Sequence, residues 1–228
     1  MSKKVFIGVG HGGKDPGAVA NGLKEKELNL AISQAVKNEL ERHGISVGIS
    51  RTKDENDQLS EKIKECNKFN PDFAVESHNN AGGGDGAEVY YYSGGGTSKT
   101  LAQNILNEII KIGQNSRGIK TKVDSSGKDY FGWIRETNAP AVIVECAFVD
   151  NKKDVAIIDT AAEQKKMGTA IAKGVLKSLG LSYKEEATKK TAETSKIYRV
   201  QVGAFKNKKS AEALKTELPK KGYSAVVV

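Results

Sequence analysis

The stretch "VFIGVGHGGKDPGAVANGLKEKELN", residues 5–29, admits two readings that lead to different folds and different chemistry. Gly8, Gly10 and Gly13 spell G-x-G-x-x-G directly after an apolar run, the pattern of a dinucleotide-binding turn. His11 stands among those glycines, and Glu25 follows fourteen residues later. A dinucleotide site needs a helix that starts inside the glycine motif, because the pyrophosphate rests on that helix's N-terminus. Here Gly13 is followed by Lys14-Asp15-Pro16-Gly17, which is turn chemistry, and helical periodicity starts only near Lys24. The acidic residue expected for the ribose hydroxyl would fall near "ISQAVK" (32–37), which has none. The pyrophosphate reading fails.

The rest of the chain supplies the frame for the other reading. "KVFIGVG" reads as a buried strand, and Leu28, Ile32, Ala35, Val36 and Leu40 fall at helical spacing until Gly44. Strand patterns recur at "ISVGISR" (45–51), "DFAVESH" (72–78), "AEVYYYS" (87–93) and "AVIVECAFV" (141–149). Helical patterns recur at "QLSEKIKECNKFN" (58–70), "SKTLAQNILNEIIKI" (98–112) and "AAEQKKMGTAIAKGVLKSLGL" (161–181). This alternation predicts an α/β domain with a mostly parallel mixed sheet flanked by helices.

Strand C-terminal ends in such a sheet converge on one crevice. His11 and His78 both stand at strand ends, so their imidazoles can meet there. Glu25, at the start of the first long helix, can turn its carboxylate back to the same edge. Two nitrogens and one carboxylate suit Zn²⁺ with a fourth position left for water. Glu145 ends the apolar run "AVIVE", where a carboxylate is costly unless something uses it; its role would be that of general base. Cys146 follows it and should face the other way. His43, in "ERHG", suits the C-terminus of a helix. The stretch "NNAGGGDGAEVYYYSGGG" (79–96) is expected to rim a substrate groove, with Asn79, Asn80, Tyr90 and Tyr92 as substrate-binding residues.

Composition narrows the partners. The net charge of +8 divides into +2 over residues 1–180 and +6 over 181–228. The basic character therefore belongs to the tail, and no nucleic-acid-binding motif accompanies it. Cys66 and Cys146 are too far apart to suggest a disulfide framework or a cysteine zinc site. "MSKK" is followed by a short strand rather than a signal-peptide core, and no run reaches membrane-spanning length. The expectation is a protein made in the cytoplasm without membrane insertion, acting elsewhere only after release.

The strings "GHGGKDPGA…GLKEKELNL", "SRTKD", "SHNNAGGGDGAEVYYY" and "VIVECAFVDN" occur in this order across residues 3–180. Together they closely resemble the zinc-dependent N-acetylmuramoyl-L-alanine amidases. The resemblance implies zinc ligands at His11, Glu25 and His78 and a catalytic glutamate at Glu145, acting on the bond between muramic acid and L-alanine in peptidoglycan. A phage endolysin and a sporulation-phase autolysin that lyses the mother cell both fit; the alternative is a catalytically idle wall-binding protein on the same fold. Glu76 stands where that family commonly has a small or hydroxyl residue, and on a strand it shares a face with His78.

Residues 181–195 are polar and without an apolar face, a linker. Beyond them, "IYRVQVGAF", "NKKSAEALKTELPKKG" and "YSAVVV" read as strand, helix and strand, and resemble one half of a SPOR domain, a peptidoglycan-binding module. A lone βαβ unit over 196–228 is small for a self-sufficient core, which leads to the expectation of a homodimer through this module. The domain plan is thus 1–180, a linker, and 196–228.

Overall fold

The computed structural model describes residues 2–186, 201–223, 225 and 227. The chain divides into two units, one ending at Lys184 and one starting at Glu185.

The first unit begins with β1 (Lys4–Val9), a two-residue hairpin of β2 (Val19–Ala20) and β3 (Leu23–Lys24), and helix α1 (Glu25–Arg42). Strand β4 (Ser46–Ile49), α2 (Leu59–Phe69), β5 (Phe73–Asn80), β6 (Ala87–Tyr91) and α3 (Thr97–Lys111) follow. The unit ends with β7 (Ser116–Lys120), α4 (Gly132–Glu136), β8 (Ala141–Phe148), α5 (Lys152–Val155) and α6 (Ala161–Ser178). The six long strands lie in the order β4-β1-β5-β8-β6-β7. Strands β4, β1, β5 and β8 run parallel, β6 runs antiparallel to β8, and β7 runs parallel to β6. The sheet is therefore mixed and mostly parallel. Strand β7 and helix α4 lie in a segment without sustained periodicity; Gly118, at φ +84°, interrupts the alternation of β7.

Side-chain alternation divides the sheet into two faces. Val5, Ile7, Val75, Val142, Val144 and Cys146 point into the larger core with the apolar stripes of α1, α3 and α6. Phe6, Ala74, Ala141 and Ile143 point the other way, under Ile63 and Cys66 of α2 and Trp133 and Ile134 of α4. This second face is thinly covered, and its strand ends carry the chemistry.

The first unit runs past its expected limit at residue 180. The Tyr183 ring lies 4.8 Å from the His43 ring, its hydroxyl donates to Glu39 at 3.1 Å, and Lys184 N donates to His43 Nε2 at 2.8 Å. Leu181–Lys184 thus belong to the domain rather than to a linker, because Tyr183 buries its ring face on the end of α1. His43 caps α1 and receives that segment.

In the second unit, α7 (Lys208–Glu217) starts at Asn207, whose side chain accepts from Lys209 N, and a 3₁₀ turn over Leu218–Lys221 follows. The expected linker over 187–195 and residues 197–200, 224, 226 and 228 of the expected flanking strands lie outside the described residues; residues 201–205, expected to complete the first of those strands, are described and are not in a strand.

Candidate active site

Three ligand-type side chains meet at the C-terminal edge of β1 and β5. His11, Glu25 and His78 each offer one atom, all within 4.8 Å of one another. The buried Glu25 carboxylate stands between the imidazoles, with Oε2 3.2 Å from His11 Nε2 and Oε1 2.9 Å from His78 Nδ1. Backbone N–H groups of Ala18 and Asn79 donate to it at 2.9 and 3.0 Å, and the Asn29 amide at 3.2 Å. Burial opposes its charge, but the His11 and His78 contacts overcome that and hold its pKa well below the carboxylate range. In return, Glu25 raises the pKa of His11. Burial works against a charged His78, and Glu25 and Glu76 outweigh it, lifting its pKa to about 10 in the metal-free protein.

The glycines of the opening motif make room for this cluster. A Cβ on Gly10 would sit 2.4 Å from His78 Cε1, and one on Gly17 would sit 2.6 Å from Glu25 Oε2. His11 itself takes a left-handed backbone, at φ 59°. Its carbonyl accepts from buried Arg51 at 2.9 Å; that guanidinium also reaches the carbonyls of Gly10 at 3.2 Å and Lys26 at 2.8 Å.

Glu145 lies beside the cluster. In β8 it is paired in register with His78 of β5 on one side and Glu88 of β6 on the other. Among the described residues its Oε2 is buried without a hydrogen-bond partner. Burial, opposed by His78 and reinforced by the Glu25, Glu88 and Glu76 charges, pushes its pKa up to about 7. Glu88, by contrast, is fully compensated: Arg117 donates to it at 2.8 Å, Tyr90 at 3.0 Å, and Lys120 is also in contact. A cavity of about 640 Å³ opens over His11, His78, Glu145, Glu76, Phe131 and Trp133. Two imidazoles and one carboxylate, with a base beside them at an open cavity, form a donor set that could hold a metal ion such as Zn²⁺.

Comparison with known proteins agrees with this geometry. The N-acetylmuramoyl-L-alanine amidase family model matches residues 5–177. The chain belongs to that family. A SPOR domain model matches residues 170–228. The N-acetylmuramoyl-L-alanine amidase CwlM of Bacillus licheniformis is 36% identical over 229 residues, which cover 99% of this chain and 84% of that protein. The endolysin of Bacillus phage SPP1 is 35% identical over 188 residues, covering 81% of this chain and 69% of that protein. Among solved structures, Cwp6 from Clostridium difficile superposes with a TM-score of 0.77 at 39% identity, covering 78% of this chain and 30% of that one. AmiC2 of Nostoc punctiforme gives 0.70 at 31% identity, covering 78% and 97%.

Within this amidase-family site the structure brings His11, Glu25, His78 and Glu145 together, and it sets the four residues expected to bind substrate apart from the cavity lining. Asn79 is 1% exposed and donates to Asn29 Oδ1 at 2.8 Å; it faces away from the cavity and braces Glu25, so it cannot touch a glycan. Asn80 turns its amide to Glu88 at 3.2 Å. Tyr90 packs its ring on Phe131 at 4.9 Å and gives its hydroxyl to Glu88. Tyr92 is exposed and does not line the cavity. The apolar wall comes instead from Phe131 and Trp133 around α4, a segment whose sequence carries no strong periodic signal. Lys62 and Glu88 are further charged residues that the sequence did not single out.

Gly10→Ala should drive His78 out of line, because the added methyl would overlap the ring. The expected result is a folded protein with zinc affinity reduced by at least tenfold; wild-type affinity would show that the ring has room to spare.

Glu145 also predicts a pH-dependent stability in the metal-free protein. Its folded pKa of about 7 lies above the ordinary 4.5, so the folded state keeps a proton that the unfolded chain releases between those values. Stability should therefore fall as pH rises from 4.5 through 7, by roughly 3 kcal/mol. In Glu145→Gln the fall below pH 6.5 should be absent, leaving the one above it that the raised pKa values of His11 and His78 contribute. Parallel denaturation-versus-pH profiles for the two proteins would contradict the raised pKa.

Proposed function

We propose that this protein is a zinc-dependent amidase that hydrolyses the bond between N-acetylmuramic acid and L-alanine in peptidoglycan. The observation that carries the reading is Glu145: a half-buried residue whose Oε2 is buried without a hydrogen-bond partner among the described residues, in register with His78 and lining the cavity. His11 Nε2, His78 Nδ1 and the Glu25 carboxylate would hold one Zn²⁺, since these atoms converge and the glycines beside them leave space. When bound, zinc supplies a polarised scissile carbonyl and a water acidified toward neutrality. Glu145, basic near neutral pH, accepts the proton of the attacking water and delivers it to the departing L-alanine amine. Phe131 and Trp133 offer an apolar wall against which the substrate can lie.

Relatives that are named as a sporulation-specific amidase and as an endolysin support wall lysis as the setting, by a sporulation-phase autolysin or a phage endolysin. Cys146 takes no part in this mechanism. It is buried on the opposite face, and burial pushes its thiol pKa up, away from the reactive thiolate.

Peptidoglycan hydrolysis, read as new L-alanine amino groups, should stop on chelation and return with Zn²⁺. Glu145→Gln should keep its zinc and lose about 10²–10⁴-fold in kcat, while Cys146→Ser should stay near wild type. A zinc-loaded wild type that binds cell walls without releasing amino groups would favour the idle wall-binding alternative.

A second copy is the partner we propose for the C-terminal unit, which carries Val202, Phe205 and Tyr223 exposed. These apolar side chains are the surface that a second copy of this unit would cover. Sedimentation of the full chain should give a dimer at micromolar concentration that Phe205→Glu dissociates; a monomeric wild type would remove this reading.

A further inference from the structure

His11 and His78 are built alike. Each turns one ring nitrogen to Glu25 and the other toward a second carboxylate. On His11 the outer partner is Asp15, with Oδ2 2.7 Å from Nδ1, an exposed group on the loop. On His78 it is Glu76, with Oε2 3.5 Å from Nε2, and Glu76 is buried. Alternation along β5 puts Glu76 on the face of His78, one step further from the strand end.

A buried carboxylate needs compensation, and α2 provides it. Lys62 Nζ donates to Glu76 Oε1 at 2.7 Å and to the Val9 carbonyl at 2.9 Å. Asp57 Oδ2 lies 3.5 Å from the same ammonium and accepts from Ser50 Oγ at 2.6 Å. Both side chains of the Lys62–Glu76 pair are 4% exposed. The catalytic scheme above uses neither residue, yet both border the cavity.

We propose that Lys62 and Glu76 are positioning residues for His78. Glu76 stands where it can hold the proton on Nε2, which leaves Nδ1, on the Glu25 side, as the nitrogen that would give up its proton to a metal ion. Lys62 ties down the other oxygen of Glu76, so that this carboxylate orients the ring and does not itself enter the metal site. The ring already lies against Gly10, where no Cβ intervenes; its remaining freedom is a flip about χ2, and a negative group on one side selects one orientation. A pair kept for stability alone would be replaceable, since apolar residues of similar volume are often as stabilising as a buried ion pair.

The inference rests on the zinc reading and can be tested without substrate. The full-length protein is stripped of metal and titrated with Zn²⁺ against a chromogenic chelator, as wild type, Lys62→Arg and the double variant Lys62→Met/Glu76→Met. The double variant removes both charges of the pair, and Asp57, which also faces the ammonium, keeps the Ser50 hydroxyl. This variant should fold with a midpoint near wild type yet bind Zn²⁺ about 10–100-fold more weakly, whereas Lys62→Arg should retain most of the affinity. In the zinc-loaded wild type, ¹⁵N-resolved NMR should show a slowly exchanging proton on His78 Nε2. A double variant with wild-type zinc affinity would overturn the proposal, as would a His78 ring protonated on Nδ1. Should the double variant fail to fold, the ring protonation of the wild type still decides. Wild-type protein that takes up no Zn²⁺ would overturn the metal reading and, with it, this role for the pair.

Discussion

The site is organised around one desolvated carboxylate. Glu25 is 4% exposed, and an ion that deep in the protein is stable only if every lone pair is engaged. Two imidazoles, two backbone N–H groups and the Asn29 amide meet that demand. These partners come from the end of β1, the turn before β2, the body of α1 and the end of β5. Satisfying Glu25 therefore fixes four segments relative to one another. The same constraint accounts for Gly10 and Gly17: the histidine rings and the carboxylate occupy the volume that side chains there would need.

The electrostatics of the sheet face follow a related logic. Glu76, Glu145 and Glu88 stand on the adjacent strands β5, β8 and β6, all on the thinly covered face. The outer two have cations: Lys62 on Glu76, and Arg117 with Lys120 on Glu88. Despite burial, those cations hold both acids below the ordinary carboxylate pKa. The central one has no Lys or Arg ion pair among the described residues, and burial together with its acidic neighbours outweighs His78 and moves it in the opposite direction. Neighbouring carboxylates pushed apart in this way acquire different roles. Glu76 and Glu88 remain permanent charges, and Glu145 becomes a base that can exchange a proton near neutrality.

The parts legible in the sequence are those governed by period and position. His11, His78 and Glu145 could be placed together because each follows the apolar run of a strand, and Glu25 because it opens a periodic helix. Asn79 obeys the same rule: one residue beyond His78, it turns to the opposite face and meets Asn29 instead of the cavity. Lys62 was hidden differently. Within "LSEKIKECNKF" it shares a helical stripe with Leu59, Ile63 and Cys66, a position normally apolar. A lysine there reads as solvated until Glu76 is seen opposite. Phe131 and Trp133 lie around a five-residue helix that is too short to announce itself by periodicity.

Packing also decides where the catalytic unit ends. The SPOR match begins at residue 170, inside α6, yet α6 is committed to the amidase core. A Cβ on Gly168 would lie 2.5 Å from Ala35 Cβ, and one on Gly174 would lie 2.4 Å from Ile105 Cα. The helix is thus in backbone-level contact with α1 on one side and α3 on the other. Ala170, Ile171, Val175 and Leu176 are buried at the same interface. A helix held so closely cannot serve a second module without unpacking the first. Tyr183, seated on His43, extends the same packed surface a few residues further. The cell-wall module therefore starts beyond Lys184, and the shared residues 170–177 belong physically to the amidase.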